Sequence, residues 1–131
     1  MKVVLWFLMM FMPLLASASS VNEEQLFHRL DSYIAQRSKF TQRKEAKLLR
    51  LKKQLYMTSD KRSQLSLYNQ IYREYYTYHY DSAMTYAKKG YQLAVQLQDD
   101  YFVNLNKINR AAVLSTGGFY SQAEELMLGA G

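Results

Sequence analysis

Three observations predict an all-α protein, a solenoid of antiparallel helix pairs stacked one on the next. The chain of 131 residues carries one proline, Pro13, and five glycines, so little interrupts a helix after its first residues. Beyond residue 20, apolar residues recur three and four positions apart, the period of helices with one face in a core. The motif Tyr-x-x-Ala occurs twice at a predicted helix start, at Tyr80 and at Tyr120, 40 residues apart. Asn-Gly or Asp-Gly turns between alternating apolar runs, the mark of β-hairpins, are missing.

The chain opens with MKVVLWFLMMFMPLLASASS. Lys2 supplies a positive start, residues 3–15 are almost wholly apolar, and Ala16-Ser17-Ala18 is an A-x-A site with cleavage before Ser19. This predicts a secretory signal peptide over residues 1–18. The apolar run is shorter than the roughly 20 residues that cross a bilayer. No cysteine follows it, so it is not a lipoprotein leader. The mature chain is expected to be exported, in a periplasmic space, with its net charge reduced from +6 to near +5 by the loss of Lys2. Membrane anchoring is expected only if the chain continues past Gly131 as part of a longer protein.

The elements follow in order. Ser20-Val21-Asn22-Glu23 matches a capping box, with Leu26, Phe27, Leu30, Tyr33 and Ile34 at helical spacing after it. This predicts a first helix over about 21–35. Gln36-Arg37-Ser38 reads as a short break, with Ser38 as an N-cap. A second helix over about 39–57 carries Phe40, Leu48, Leu51, Leu55 and Tyr56 on its apolar side and a strongly basic opposite face. Residues 19–58 are thus expected to form a helical pair. Thr58-Ser59-Asp60 ends it and caps a third helix, about 61–78, whose apolar face is wide enough for two neighbours. Asp81 is the expected N-cap of a fourth helix, about 82–97, with Ala83, Ala87, Tyr91, Ala94 and Leu97 on one stripe. A fifth helix, about 101–115, shows Phe102, Leu105, Ile108, Ala112 and Ser115, and Gly117-Gly118 stops it. A sixth runs from near Ser121 to Leu128.

Both copies of Tyr-x-x-Ala sit between two amphipathic helices, Tyr80 and Ala83 in one, Tyr120 and Ala123 in the other. The second copy adds Gly118 two residues before its tyrosine; Tyr78 stands in that place in the first. This resembles the tetratricopeptide repeat, whose helix-turn-helix unit carries Gly-x-Tyr-x-x-Ala at its turn. Gly118, Tyr120 and Ala123 match it fully and Tyr80 and Ala83 in part. The spacing of 40 exceeds the usual 34, so the units are long and divergent. The resemblance covers residues 61–131 and implies two repeats over 59–131. Alanine at that position lets two helix backbones approach closely, and the tyrosine lays a ring over the hairpin with its hydroxyl near solvent. One hairpin cannot bury both faces, which is why such units stack.

A signal peptide, then AKLLRLKKQL, then LYNQIYREYYTYHYDSAMTYAKKG is also similar to the N-terminal part of membrane-bound regulators of Bacteroidetes. In that family exported tetratricopeptide repeats precede a transmembrane helix and a cytoplasmic helical region proposed to regulate transcription. The resemblance implies that this chain is the front of a longer protein, its array of repeats cut short.

Little here points to catalysis. With no cysteine there is no disulfide, thiol nucleophile or cysteine-based zinc site. Asp99-Asp100 and Glu124-Glu125 are neighbours that do not face each other on a helix, and acids in a first turn favour its dipole. His28, with Glu24 and Asp31 four and three residues away, reads as a solvated face, and His79 as a turn residue. No phosphate loop, nucleophile elbow or zinc pattern appears. The expectation is a non-enzyme with no metal and no cofactor.

Two features are candidates for binding. Residues 37–62 hold ten basic side chains against Glu45 and Asp60. Lys44, Lys47, Arg50 and Lys52 within them are expected either to form a solvated face or to meet an acidic protein, an anionic polymer or a membrane surface. Export argues against nucleic acid. Eight of the 12 tyrosines lie in residues 68–91. Most fall where they would fill the space between helices; Tyr76, Tyr78 and Tyr91 are the candidates for a groove that takes a protein or peptide, since tyrosine offers a large contact area at small entropic cost.

Overall fold

The structure, a computed structural model, describes the backbone of residues 2–129 and the side chains of residues 22–129. The signal peptide read at residues 1–18 lies outside the described side chains. The helices are α1 (Lys2–Met57), α2 (Lys61–Tyr76), α3 (Tyr80–Gln96), α4 (Asp100–Thr116) and α5 (Tyr120–Leu128), and no strand occurs among the described residues. The chain divides into two units by contact, Met1–Arg43 and Lys44–Gly131.

Within the first unit the expected break at Gln36-Arg37-Ser38 does not occur: α1 runs through it without interruption. The expected helical pair over 19–58 is therefore one helix. Gln36 and Arg37 are good helix formers, and Ser38 alone, with no glycine or proline beside it, does not stop a helix. The capping box at Ser20 lies inside α1 rather than at its start. Leu26, Phe27, Leu30, Tyr33 and Ile34 are all more than half exposed.

The second unit is a succession of neighbours in which α2 packs on α3, α3 on α4 and α4 on α5, while α2 also touches α4. Its core joins Leu48 and Leu51 of α1 with Leu67, Ile71, Tyr72 and Tyr75 of α2, Ala83 and Ala87 of α3, and Val113 of α4. Tyr56, expected on the apolar side, is 92% exposed. A smaller cluster joins Ala111 and Leu114 of α4 to Ala123 and Leu126 of α5.

The buried side of α3 is Ala83, Ala87, Gly90 and Ala94. This stripe of small residues lets α2 and α4 approach the backbone. The approach is closest at Gly90, where a β-carbon would stand 2.6 Å from Oδ1 of Asn106. It also corrects the expected stripe of α4. Ile108 is half exposed, while Asn106, Asn109, Ala111 and Val113 are buried. A short amide fits against the α3 backbone where a branched apolar side chain does not.

The three connections after α2, α3 and α4 have the same length, residues 77–79, 97–99 and 117–119. In the last two the middle residue is left-handed, Gln98 at φ 55° and Gly118 at φ 84°. There the amide N–H of Asp99 donates to the carbonyl of Ala94 at 3.0 Å, and that of Phe119 to Leu114 at 2.8 Å. These are the wide closures of a helix ending in a left-handed residue. In the first connection Tyr78 holds the glycine position and keeps a negative φ. The N–H of His79 reaches only Tyr75, at 2.7 Å. A tyrosine in left-handed backbone is strained, so this turn closes more tightly.

Asp60 caps α2 as expected, and Asp99 caps α4. The Asp60 carboxylate accepts from the Ser63 N–H at 3.0 Å, and Asp99 accepts from the Phe102 N–H at 3.1 Å. For α3 the expected cap, Asp81, lies inside the first turn; His79 is the N-cap, its Nδ1 accepting from the Ser82 N–H at 3.3 Å. The tighter turn starts the helix two residues earlier than a cap at Asp81 allows.

Candidate functional site

Helix α2 lies between α1 and α4 and is tied to both by polar side chains. Toward α1, Glu74 receives Lys44 at 2.9 Å and Lys47 at 2.5 Å, and the Tyr78 hydroxyl donates to Glu45 Oε1 at 2.6 Å. Toward α4, Nδ2 of Asn109 donates to Oδ1 of Asn69 at 3.1 Å, and the Tyr72 hydroxyl donates to the Asn109 carbonyl at 3.2 Å. The Tyr76 and Thr116 hydroxyls share a hydrogen bond of 3.2 Å. Asn69 and Asn109, like Tyr76 and Thr116, are 40 residues apart. That is the spacing of the two Tyr-x-x-Ala copies, so α2 and α4 are equivalent helices of successive repeats, meeting through equivalent positions.

The repeat-defining residues fall into one pattern. Ala83 is fully buried and Ala123 nearly so. The Tyr80 ring packs on the turn after α4, where a β-carbon on Gly117 would come 2.9 Å from it. It therefore bridges to the next repeat rather than covering its own hairpin alone. Tyr120 is 70% exposed.

The tyrosines of residues 68–91 are mainly filling. Tyr72 and Tyr75 are buried. Tyr75 stacks on Tyr86 at 5.8 Å and on Tyr78 at 6.4 Å, while Tyr72 meets Tyr76 at 5.7 Å. Burial pushes the Tyr72 hydroxyl up to about 12 and raises that of Tyr86. Of the three groove candidates, Tyr76 is 38% exposed at the α2–α4 junction. Tyr78 is half-buried on Glu45, whose carboxylate raises its hydroxyl's pKa. Tyr91 is half-buried on α3 under the Arg110 guanidinium, 5.3 Å from its ring centre, and does not join the other two.

The four basic candidates do not form one patch. Lys44 and Lys47 converge on Glu74, whose carboxyl is held below its ordinary value chiefly by the Lys47 hydrogen bond. Lys52 donates to the Tyr75 hydroxyl at 2.6 Å, which raises the ammonium's pKa, and lies over that ring. Arg50 is exposed. What the sequence did not single out is the cleft these contacts enclose, about 480 Å³, lined by Lys44, Lys47, Gln70, Arg73, Glu74 and Thr77. Three cations against one carboxylate leave it electropositive, and Gln70 and Thr77 add hydrogen-bonding groups. Such a cleft suits an acidic side chain or a C-terminal carboxylate better than an apolar ligand.

Among the described residues no three His, Cys, Asp or Glu side chains are grouped to hold a metal ion, and no helix is long and apolar enough to cross a membrane. Helical hairpins joined by equal turns, with a buried alanine opening the second helix and contacts between equivalent helices, define a tetratricopeptide-repeat solenoid. Domains of this class are in general non-catalytic scaffolds for protein interaction.

Residues 34–129, more than half of the chain, match the family model of the SusR N-terminal TPR domain. The chain belongs to that family and so resembles the SusR-type regulators of Bacteroidetes. No curated protein and no solved structure matches it.

Proposed function

We propose that this chain is a non-enzymatic scaffold that binds a protein or peptide and serves as the exported, periplasmic sensory end of a longer regulatory protein. The observation that carries this reading is the family match over residues 34–129. Two features support the binding part: the electropositive cleft between α1 and α2, and the exposed Tyr76 ring on the same helix. The leader read at residues 1–18 supports export. Its removal before Ser19 would place the Ser20–Glu23 capping box in the first turn of α1.

Binding is tested by selecting peptides against the purified chain and measuring their affinity for variants. Tyr76→Ala with Tyr78→Ala is expected to abolish binding, with helical content checked by circular dichroism. Neutralising Lys44, Lys47, Arg50 and Lys52 together is expected to weaken only acidic peptides. Binding that survives the tyrosine pair, and is lost for every ligand on neutralisation, would point instead to a basic module docked on an anionic surface or polymer. Export is tested by an alkaline phosphatase fusion, active only outside the cytoplasm. The regulator reading is tested by the reading frame past Gly131: further repeats and an apolar span support it, and a stop codon overturns it.

A further inference from the structure

The part of α1 ahead of Lys44 presents a surface that the repeats do not explain. Leu26, Leu30 and Tyr33 recur at four and three residues, with Phe27 and Ile34 beside them, and each of the five is more than half exposed. Isolated exposed apolar residues are ordinary, but a contiguous stripe of this kind marks an interaction surface. Its spacing is that of a helix pairing with another helix.

The charges around the stripe say what the other helix is. Residues 22–32 carry Glu23, Glu24 and Asp31 against Arg29 alone, whereas residues 33–43 carry Arg37, Lys39 and Arg43 and no acid. All are exposed, and all but Lys39, which lies on the opposite side of the helix, fall in line with the stripe or toward its sides. The segment is thus acidic in its first half and basic in its second. Laid parallel on an identical segment, both halves meet like charge; laid antiparallel, each half meets its opposite. An anionic membrane would be repelled by Glu23, Glu24 and Asp31, and a uniformly acidic or basic partner would be repelled by one half. A distribution that complements itself on reversal is that of a two-fold interface.

We propose that residues 22–43 of α1 pair antiparallel with the same segment of a second copy of this chain. Most of the stripe lies ahead of residue 34, where the family match begins, and the pairing does not rest on the function proposed above.

The test uses the chain expressed at full length and purified as its host processes it. Sedimentation equilibrium is expected to show a concentration-dependent dimer. Leu30→Glu with Ile34→Glu is expected to weaken it by at least about a hundredfold, since two exposed apolar side chains lose their burial. Both are exposed, so helical content should be unchanged by circular dichroism. The chain has no cysteine of its own, so single cysteines report orientation. Glu24→Cys mixed with Arg43→Cys should be joined by a short bis-maleimide, while neither variant alone is joined to itself. A monomer at every concentration, a dimer that survives the double substitution, self-joined products from the single variants, or uptake by anionic vesicles in place of dimerisation would each overturn the proposal.

Discussion

Nδ2 of Asn109 donates to Oδ1 of Asn69 at 3.1 Å, joining the same position of two successive repeats across the α2–α4 contact. Asn109 is 8% exposed, and its carbonyl also accepts the Tyr72 hydroxyl. Asn109→Ala is expected to destabilise the chain by about 1–2 kcal/mol, because Asn69 loses its donor in a half-buried site. Asn69→Ala combined with it should cost less than the sum of the two, with a coupling of about 0.5–1.5 kcal/mol in urea denaturation. Additive costs would mean that the two amides do not act together.

Glu74 predicts a dependence on acid. Its carboxyl is depressed in the folded chain, first by the Lys47 hydrogen bond and further by Lys44. A depressed carboxyl stabilises above its ordinary value near 4.5, and that contribution is lost as pH falls through the folded value. The contribution should be under about 1 kcal/mol, since Lys47 is half exposed. Glu74→Gln should therefore lower stability at neutral pH and flatten the loss between neutral and strongly acidic solution. Parallel profiles for the two chains would contradict the arrangement.

The turns predict opposite signs at equivalent positions. Gln98 is held at φ 55°, where a side chain is strained. Gln98→Gly should raise stability by about 0.5–1 kcal/mol, visible as a thermal midpoint higher by a few degrees. Gly118, at φ 84°, has open space where a β-carbon would stand, so Gly118→Ala should lose about 1 kcal/mol from backbone strain alone. If both substitutions moved the midpoint the same way, left-handed backbone would not be the deciding factor.

Gly90 predicts a steric cost that a second change relieves. Its added β-carbon would meet the Asn106 side chain, which is 1% exposed and has no room to swing away. Gly90→Ala should cost about 1–3 kcal/mol. Asn106→Ala in the same chain should recover part of that, because it removes the atoms the new β-carbon meets, at the cost of the 2.8 Å bond from Nδ2 to the Phe102 carbonyl. Thermal denaturation of the four chains of the cycle decides it.

Helices α2 to α5 were legible to within two residues or so because glycines, aspartates and a 3.6-residue period mark their ends and faces locally. The break at Ser38 was misread because a capping residue is only permissive; what stops a helix is a residue that cannot continue it, and residues 36–38 contain none. The buried asparagines of α4 were invisible for a different reason. Asparagine on a helix reads as a solvent face until Gly90 and the small residues of α3 bring a backbone against it. Glu74 was likewise unreadable as the partner of Lys44, since the two are 30 residues apart and only the packing of α2 on α1 joins them. The motif Tyr-x-x-Ala located the repeats, yet which rings line a surface depended on the turn at Tyr78.

The run of rings through Tyr86, Tyr75 and Tyr78, with Tyr72 and Tyr76 beside it, has an optical consequence. Aromatic chromophores held this close in a fixed, chiral arrangement couple to one another and give a near-ultraviolet dichroism that disappears when the packing loosens. The run belongs to α2, its following turn and α3, whereas far-ultraviolet dichroism reports every helix. Comparing the two signals during unfolding would reveal whether α4 and α5 peel away before the aromatic centre gives way, without any label being attached.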